Sequence, residues 1–168
     1  MVSKETMYSM SYDSLLISNS VVSRFLLKNV TGLNSVDKLR VRYSVKWKEV
    51  LRKSITAMRK LALNSDWNYT NKLELLEAEQ QSLRDNYRNA SKLYDASIAS
   101  ARRSGFIHEQ GLAAEKAGFH YERRGDVCNA WKYLNQAREC YEEWGSSMKV
   151  DMIQAKLDNL QTILQGYR

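Results

Sequence analysis

Two segments of the chain decide the fold: YRNASKLYDASIASARRSG at residues 87–105 and VCNAWKYLNQARECYEEWG at residues 127–145. They align at an offset of 40 residues, and the apolar or small residues of each recur every three or four positions. This spacing places those residues on one face of a helix, and a closing glycine is typical of a left-handed helix end. The aligned positions are Tyr87, Ala90, Tyr94, Ser97, Ala101 and Gly105 with Val127, Ala130, Leu134, Ala137, Tyr141 and Gly145.

A further helix is predicted before each segment, because Ala78 aligns with Gly118 at the same offset. Each pair of helices forms an αα-hairpin, and the residue pattern resembles the tetratricopeptide signature, although the period is 40 residues rather than about 34. The sequence therefore predicts an all-α fold of αα-hairpin repeats, a tetratricopeptide-like right-handed solenoid. The residues that carry this likeness are Gly118, Tyr121, Ala130, Leu134 and Ala137.

A weaker third copy is predicted before these two hairpins. Its first helix covers roughly residues 11–29 and ends at a break near Thr31, Gly32 and Leu33. Its second helix continues the 40-residue register, and three neighbouring apolar residues widen its buried face. The register positions are Trp47, Val50, Ser54, Ala57 and Leu61, and the widening residues are Leu51, Ile55 and Met58.

A C-terminal capping helix is predicted at residues 148–165, with an apolar face formed by Val150, Ile153, Leu157, Leu160 and Leu164. Repeats of this class need about three stacked units for stability, which the chain could just provide. We divide the chain into an N-terminal helical segment at residues 1–35, whose packing the sequence leaves open, and a repeat domain at residues 36–168.

Positive charge is concentrated in the first part of the chain. Residues 1–70 hold 12 Lys or Arg against 5 Asp or Glu, whereas residues 71–168 hold 14 of each. Arg42, Lys46, Lys53 and Lys60 follow one another at helical spacing and would line one helix face. Such a stripe could bind phosphates or an acidic protein surface, and the alternative is an ordinary solvated face. No recognised nucleic-acid motif accompanies it.

The remaining conspicuous residues predict structure rather than chemistry. Cys128 and Cys140 lie too far apart on one helix to pair, and neither histidine, His108 or His120, completes a zinc spacing. His108 and Glu109 are adjacent and should point to different faces, so we expect no catalytic, cofactor-binding or metal site. No apolar run reaches the length of a membrane span, and we expect a cytoplasmic protein. Three aromatic residues, Tyr121, Tyr141 and Trp144, are expected in the core rather than in a ligand cage.

Glu115 stands on an otherwise apolar helix face. A carboxylate in this setting usually pairs with an arginine or lysine of a neighbouring helix, so a structural salt bridge is expected.

Three stretches and several single residues carry a family resemblance: WNYTNKLELLEAE at 67–79, GFIHEQGLAAE at 105–115 (with Gly105, Phe106 and Glu115), WGSSMKV at 144–150 (with Trp144 and Gly145), Tyr121 with Gly125, Ala130 with Tyr133 and Leu134, Ala137, and Tyr141. Through them, residues 45–153 resemble the helical region between the ATPase and sensor portions of large multidomain signalling proteins. These proteins join a serine/threonine kinase-like domain, an AAA or STAND-type ATPase and often a sensor histidine kinase. The resemblance implies a helical scaffold, whereas the phosphate-binding loop, kinase motifs and histidine-kinase block of the catalytic domains are absent from the sequence.

These observations predict a non-catalytic scaffold that binds protein partners or the neighbouring domains of a longer polypeptide, in a signalling context. One alternative is nucleic-acid or anionic-surface binding through the basic helix face at residues 38–60. Another is a small structural subunit of a larger assembly. An enzyme is the least favoured class, because the sequence offers no nucleophile and base, paired carboxylates or phosphate loop.

Overall fold

The computed structural model describes residues 45–166 and, before them, residues 32, 33, 35, 36, 38 and 39. Residues 45–166 form six helices, and the described part of the chain contains no strand, which confirms the all-α prediction. The predicted N-terminal segment at residues 1–35 lies almost wholly outside the described residues, as does Arg42. The helices are α1 (Val45–Asn64), α2 (Asp66–Leu83), α3 (Tyr87–Arg103), α4 (Ile107–Glu122), α5 (Val127–Trp144) and α6 (Ser147–Gly166).

None of these helices combines the length and the apolar character needed to cross a membrane.

Each helix packs against the helix that follows it in the chain. The larger apolar cluster draws residues from α2 to α6, and Tyr94 and Leu134 are fully buried inside it. A smaller cluster holds Val36 together with residues of α1 and with Leu76 of α2. Because Leu75 belongs to the first cluster and Leu76 to the second, α2 connects the two parts of the core.

Four connections between helices share one backbone structure. In the connection after α3, the Phe106 amide donates to the Ala101 carbonyl and the Gly105 amide donates to the Arg102 carbonyl. This is the Schellman arrangement, which satisfies the free carbonyls of a helix end. Equivalent bonds recur every 20 residues along the chain. The residues with positive φ are Asp85 (56°), Gly105 (70°), Gly125 (74°) and Gly145 (84°).

The connection between α1 and α2 does not belong to this series. A single residue, Ser65, separates the two helices and has an extended φ of −152°. Its amide continues the helical pattern by donating to the Leu61 carbonyl, and its hydroxyl accepts a hydrogen bond from the Asn68 side chain. The 20-residue period of the turns therefore begins at Asp85.

Small residues allow α4 and α5 to approach closely. A methyl group placed on Gly118 would lie 2.6 Å from Leu134 Cγ and 3.2 Å from the Leu134 backbone nitrogen. A methyl group on Gly111 would lie 3.0 Å from the Tyr141 ring. Ala130 and Ala137 are fully buried on the facing side of α5. The residues aligned from the sequence thus form the contact between these helices.

The predicted break near Thr31, Gly32 and Leu33 lies partly outside the described residues, and Gly32 and Leu33 themselves are helical. Gly32 permits close packing against neighbouring side chains. A methyl group on Gly32 would lie 2.6 Å from Leu76 Cδ2 and 3.1 Å from Ser54 Cβ, so a larger residue would force the Leu76 side chain to shift.

The buried face of α1 is formed mainly by the neighbouring apolar residues that widen the stripe, rather than by the residues of the 40-residue register. Its buried residues are Leu51, Ser54, Ile55 and Met58. Of the register positions, only Ser54 is among them, while Trp47, Val50, Ala57 and Leu61 remain partly exposed. The register fails here because α1 packs on the smaller cluster and not on the main core.

The last helix begins and ends within one residue of the predicted bounds. Ile153, Leu157 and Leu160 join the main cluster, and Val150 packs partly against it. The opposite side of α6 exposes Met148 and Met152.

Candidate interaction surface

Polar side chains connect α2 to α3 inside the core. The Tyr94 hydroxyl donates a hydrogen bond of 2.7 Å to the Glu79 carboxylate, and both residues are almost fully buried. The Ser97 hydroxyl donates to the Asn71 carbonyl, also at 2.7 Å. A buried carboxylate with a hydrogen-bond donor avoids the desolvation penalty of an unpaired one. These contacts fix the two helices against each other.

A second polar group joins α2 to α4. Lys72 Nζ lies 2.7 Å from Glu109 Oε2, and the side chains are only 8% and 16% exposed. Asn71 Nδ2 also donates to this carboxylate. Burial raises the pKa of Glu109, but hydrogen bonds from His108, Lys72 and Asn71 and the Lys72 charge outweigh burial and hold that pKa below its ordinary value. Nearer the other end of these helices, the Ser82 hydroxyl lies 2.9 Å from His120 Nδ1.

His108 and Glu109 do approach each other, against the expectation that they point to different faces. His108 Nε2 lies 3.6 Å from Glu109 Oε1, because both residues occupy the first turn of α4 and the imidazole is long enough to reach the carboxylate. The His108 ring also packs against Trp144, with 5.4 Å between ring centroids. The carboxylate is already engaged by Lys72, so the contact belongs to the packing of α2, α4 and α5.

Two ion pairs connect α4 to α6. Glu115 accepts hydrogen bonds from the Tyr141 hydroxyl at 2.5 Å and from Lys149 Nζ at 2.9 Å, so Lys149 is the expected basic partner from a neighbouring helix. Glu122 pairs with Lys156 Nζ at 3.1 Å. The glutamates stand seven residues apart on α4, and the lysines stand seven residues apart on α6. Two helices therefore meet through a regular ladder of opposite charges.

Tyr133 connects α5 to α3 in the same manner. Its hydroxyl donates to Asp95 Oδ1 at 2.6 Å, and its ring stacks on Tyr121 with 5.2 Å between centroids. Burial and the bond to Asp95 raise the pKa of Tyr133 far above its ordinary value. Neutral tyrosine is thus the only form present at physiological pH.

The aligned and resemblance residues from the sequence lie at turns and helix contacts. Gly105 and Gly145 occupy left-handed turn positions, and Phe106 is the N-cap of α4. Tyr141 is buried in the core, whereas Tyr121 and Trp144 are half-buried and pack against it. The 20-residue spacing of Gly105, Gly125 and Gly145 is a further sequence signal of these turns.

Three of the four predicted basic residues line the outer side of α1. Lys46, Lys53 and Lys60 are all exposed and follow one another at intervals of seven residues. We refer to these three lysines as the basic face. Beside it, Arg52 donates to both carboxylate oxygens of Glu49, at 2.7 and 2.6 Å, and these bonds lower the pKa of Glu49 to about 2. Glu49 therefore stays ionised and neutralises Arg52 more than it neutralises the lysines.

The charge of α1 contrasts with that of the other helices. α1 contains six Lys or Arg and one Glu, whereas residues 66–166 contain 13 Lys or Arg and 15 Asp or Glu. A groove of about 430 Å³ runs along the exposed side of α1, and Lys53 and Lys60 are among the residues that line it. The structure thus confines the positive excess of residues 45–166 to one helix.

The two cysteines lie on α5, with Cys128 exposed and Cys140 buried. Burial raises the pKa of the Cys140 thiol, which keeps it protonated. Within residues 45–166 and the few described positions before them, no three His, Cys, Asp or Glu residues converge as metal ligands would.

Comparison of the chain with models of known families, with curated proteins and with solved structures finds no match.

Proposed function

We propose that the chain is a non-catalytic helical-repeat scaffold that binds a protein partner or a neighbouring domain. In this proposal the αα-hairpins stack as a tetratricopeptide-like right-handed solenoid, and α6 caps the stack. The observation that carries the proposal is the contact between helices two apart in the chain. Lys72 with Glu109, Asp95 with Tyr133 and Glu115 with Lys149 each span such a pair.

The repeated turns support the same proposal. Because the four connections from Asp85 to Gly145 share one backbone structure, each helix is related to the next by a similar rotation and translation. Repetition of one rotation and translation generates an extended surface, and helical-repeat proteins use such a surface to bind other proteins. The buried polar contacts hold that surface in one shape, so a partner would meet a preorganised site.

The signalling context rests on the resemblance of residues 45–153 alone. On that reading, the scaffold lies beside ATPase or kinase domains and transmits or restrains their conformational state. The partner would then be a domain of the same polypeptide or of an associated protein.

Capture of partners from source cells tests the scaffold proposal. Tagged wild-type chain is compared with Gly118→Val, which forces α4 and α5 apart, and with Ala99→Val, which changes an exposed position of α3. We expect a defined protein to bind the wild type and the Ala99 variant after nuclease treatment, and to be lost from the Gly118 variant. The captured protein is then purified and titrated against the purified chain.

Two results would contradict the scaffold proposal. Retention that disappears with nuclease would make nucleic acid the ligand. Equal retention by the Gly118 variant, shown to be unfolded by circular dichroism, would mean that binding does not need the helical stack.

A further inference from the structure

The contact between α4 and α6 shows how this molecule joins helices by charge. Lys149 and Lys156 stand seven residues apart and pair with Glu115 and Glu122, which have the same spacing. Seven residues are about two turns of helix, or about 10.5 Å along the axis. Side chains at this interval lie on one face, so a lysine row of this spacing matches a glutamate row on a neighbouring helix.

The basic face of α1 repeats the lysine half of this ladder. Lys46, Lys53 and Lys60 have the same seven-residue interval, and all three are exposed. Lys53 lies 3.6 Å from Glu49 on its own helix, which leaves both groups largely in solvent, at 71% and 43% exposure. An exposed pair of this kind is weak and exchanges readily with another carboxylate. Among the residues that the structure describes, no stronger carboxylate partner occupies the lysine row.

The surface between the lysines suits a helix. Thr56 and Ala57 lie between Lys53 and Lys60, and with Leu61 they form part of the groove of about 430 Å³. Short side chains permit another helix to come close, and Leu61 offers an apolar contact. The lysines form a single row along this surface, so their ammonium groups can reach one row of carboxylates on an incoming helix.

We propose that the basic face of α1 docks an acidic helix of a partner protein, whose carboxylates recur every seven residues. This inference rests on the proposed scaffold function and names the chemistry of its partner. Charge complementarity supports it, because Lys46, Lys53 and Lys60 present three exposed cations beside the single carboxylate of Glu49. A DNA duplex fits less well: the lysine row is straight over about 21 Å, while a duplex strand turns through more than half a circle over about that length.

Binding of designed peptides to the purified full chain tests this inference. One peptide is a stapled three-heptad helix with a glutamate at the same position of each heptad. The other has the same composition, with its glutamates distributed around the helix. Fluorescence anisotropy at about 150 mM salt is expected to show about tenfold tighter binding of the heptad peptide, since each exposed ion pair contributes only modestly.

Charge reversal then locates the contact. We expect K53E/K60E to weaken the heptad peptide about tenfold or more. The matched control is R88E/K92E, which reverses two exposed cations of α3 and produces the same net charge. This control is expected to change the affinity less than threefold, because only long-range attraction is reduced. Circular dichroism checks that both variants keep their helices.

The inference is overturned if both peptides bind equally, if both double variants weaken binding equally, or if a DNA duplex of equal charge binds more tightly than the heptad peptide. If this inference fails while the cellular partner is still captured by the wild-type chain, the scaffold proposal stands. In that case the K53E/K60E variant should retain the cellular partner. Loss of the cellular partner from the Gly118 variant alone would likewise place its binding site away from α1.

Discussion

The α2–α3 and α4–α5 hairpins have the same turns but fill the space between their helices differently. In the first hairpin Ala78 and Glu79 lie on α2, and Tyr94 of α3 donates to the Glu79 carboxylate. Forty residues later these positions hold Gly118, Phe119 and Leu134. The second hairpin therefore replaces a buried polar pair with a glycine and an apolar contact.

The reverse exchange occurs elsewhere in the same hairpins. Glu115 and Tyr141 form a buried hydrogen bond in the second hairpin, where the first has Leu75 and Ala101. The backbone plan is thus kept while the location of the polar pair changes. What both hairpins share is small residues at three aligned pairs of positions, Ala78 with Gly118, Ala90 with Ala130 and Ser97 with Ala137.

The largest expected effect comes from filling the close approach of the second hairpin. Gly118→Val should destabilise the protein by about 3 kcal/mol, because the added atoms collide with Leu134 and with its backbone. Urea unfolding followed by circular dichroism measures the free energy of unfolding. The control Ala99→Val introduces the same β-branched residue at an exposed helical position and should cost about 0.5 kcal/mol. A similar loss in both variants would contradict steric control of the α4–α5 contact.

The polar contact between the two hairpins should depend on pH. Glu109→Gln is expected to cost about 2 kcal/mol near neutral pH, because buried Lys72 loses its charged partner. The folded-state pKa of Glu109 lies below its ordinary value of 4.5, so its stabilisation is present above that value. It is lost as the pH falls through the folded-state pKa.

Unfolding in urea from about pH 6 down to about pH 3, where proteins lose carboxylate-dependent stability, measures this effect. The difference between wild type and Glu109→Gln should shrink with falling pH. A difference that stays constant would mean that packing, rather than the charge of Glu109, stabilises the α2–α4 contact.

The smallest expected effects distinguish the turns. Alanine at Gly105, Gly125 or Gly145 should cost about 1 kcal/mol, because each residue has a positive φ. No atom lies within 4 Å of the added methyl group at these positions, so the cost is conformational. Asp85→Ala should cost only about 0.5 kcal/mol, since a side chain already occupies that turn and only its bond with Tyr87 is lost. Thermal unfolding of the four variants compares them, and unequal costs among the three glycines would show that the turns differ.

Helix ends and contact stripes could be predicted from the sequence because they depend on local spacing. Gly105 and Gly145 indicate their turns directly, and Ala130 and Ala137 follow helical periodicity. Asp85 could not be found this way, since a residue other than glycine adopts the same backbone conformation. Gly32 shows that a glycine can also lie within a helix, where it allows contact with Leu76.

The polar contacts were less accessible from the sequence. The spacing could suggest a basic partner for Glu115, but not that it would be Lys149, because that choice depends on how α6 packs on α5. Glu79 gave no signal at all, since its burial depends on a tyrosine 15 residues away. The basic face was visible as a stripe, and the structure adds its exposure and its groove.

The side-chain pairs between alternate helices also restrict the order in which hairpins can follow one another. The shared backbone of the turns would allow α3 and α4 to be deleted, so that α2 led directly into α5 after Asp85. The offset of 40 residues would then bring Lys149 to the place that Glu109 holds beside Lys72. Two ammonium groups would meet where one is buried, at a high cost in desolvation and repulsion. Hairpins with a common backbone are therefore not interchangeable here, because the charged side chains of each hairpin pair with those of one particular neighbour and repel those of another.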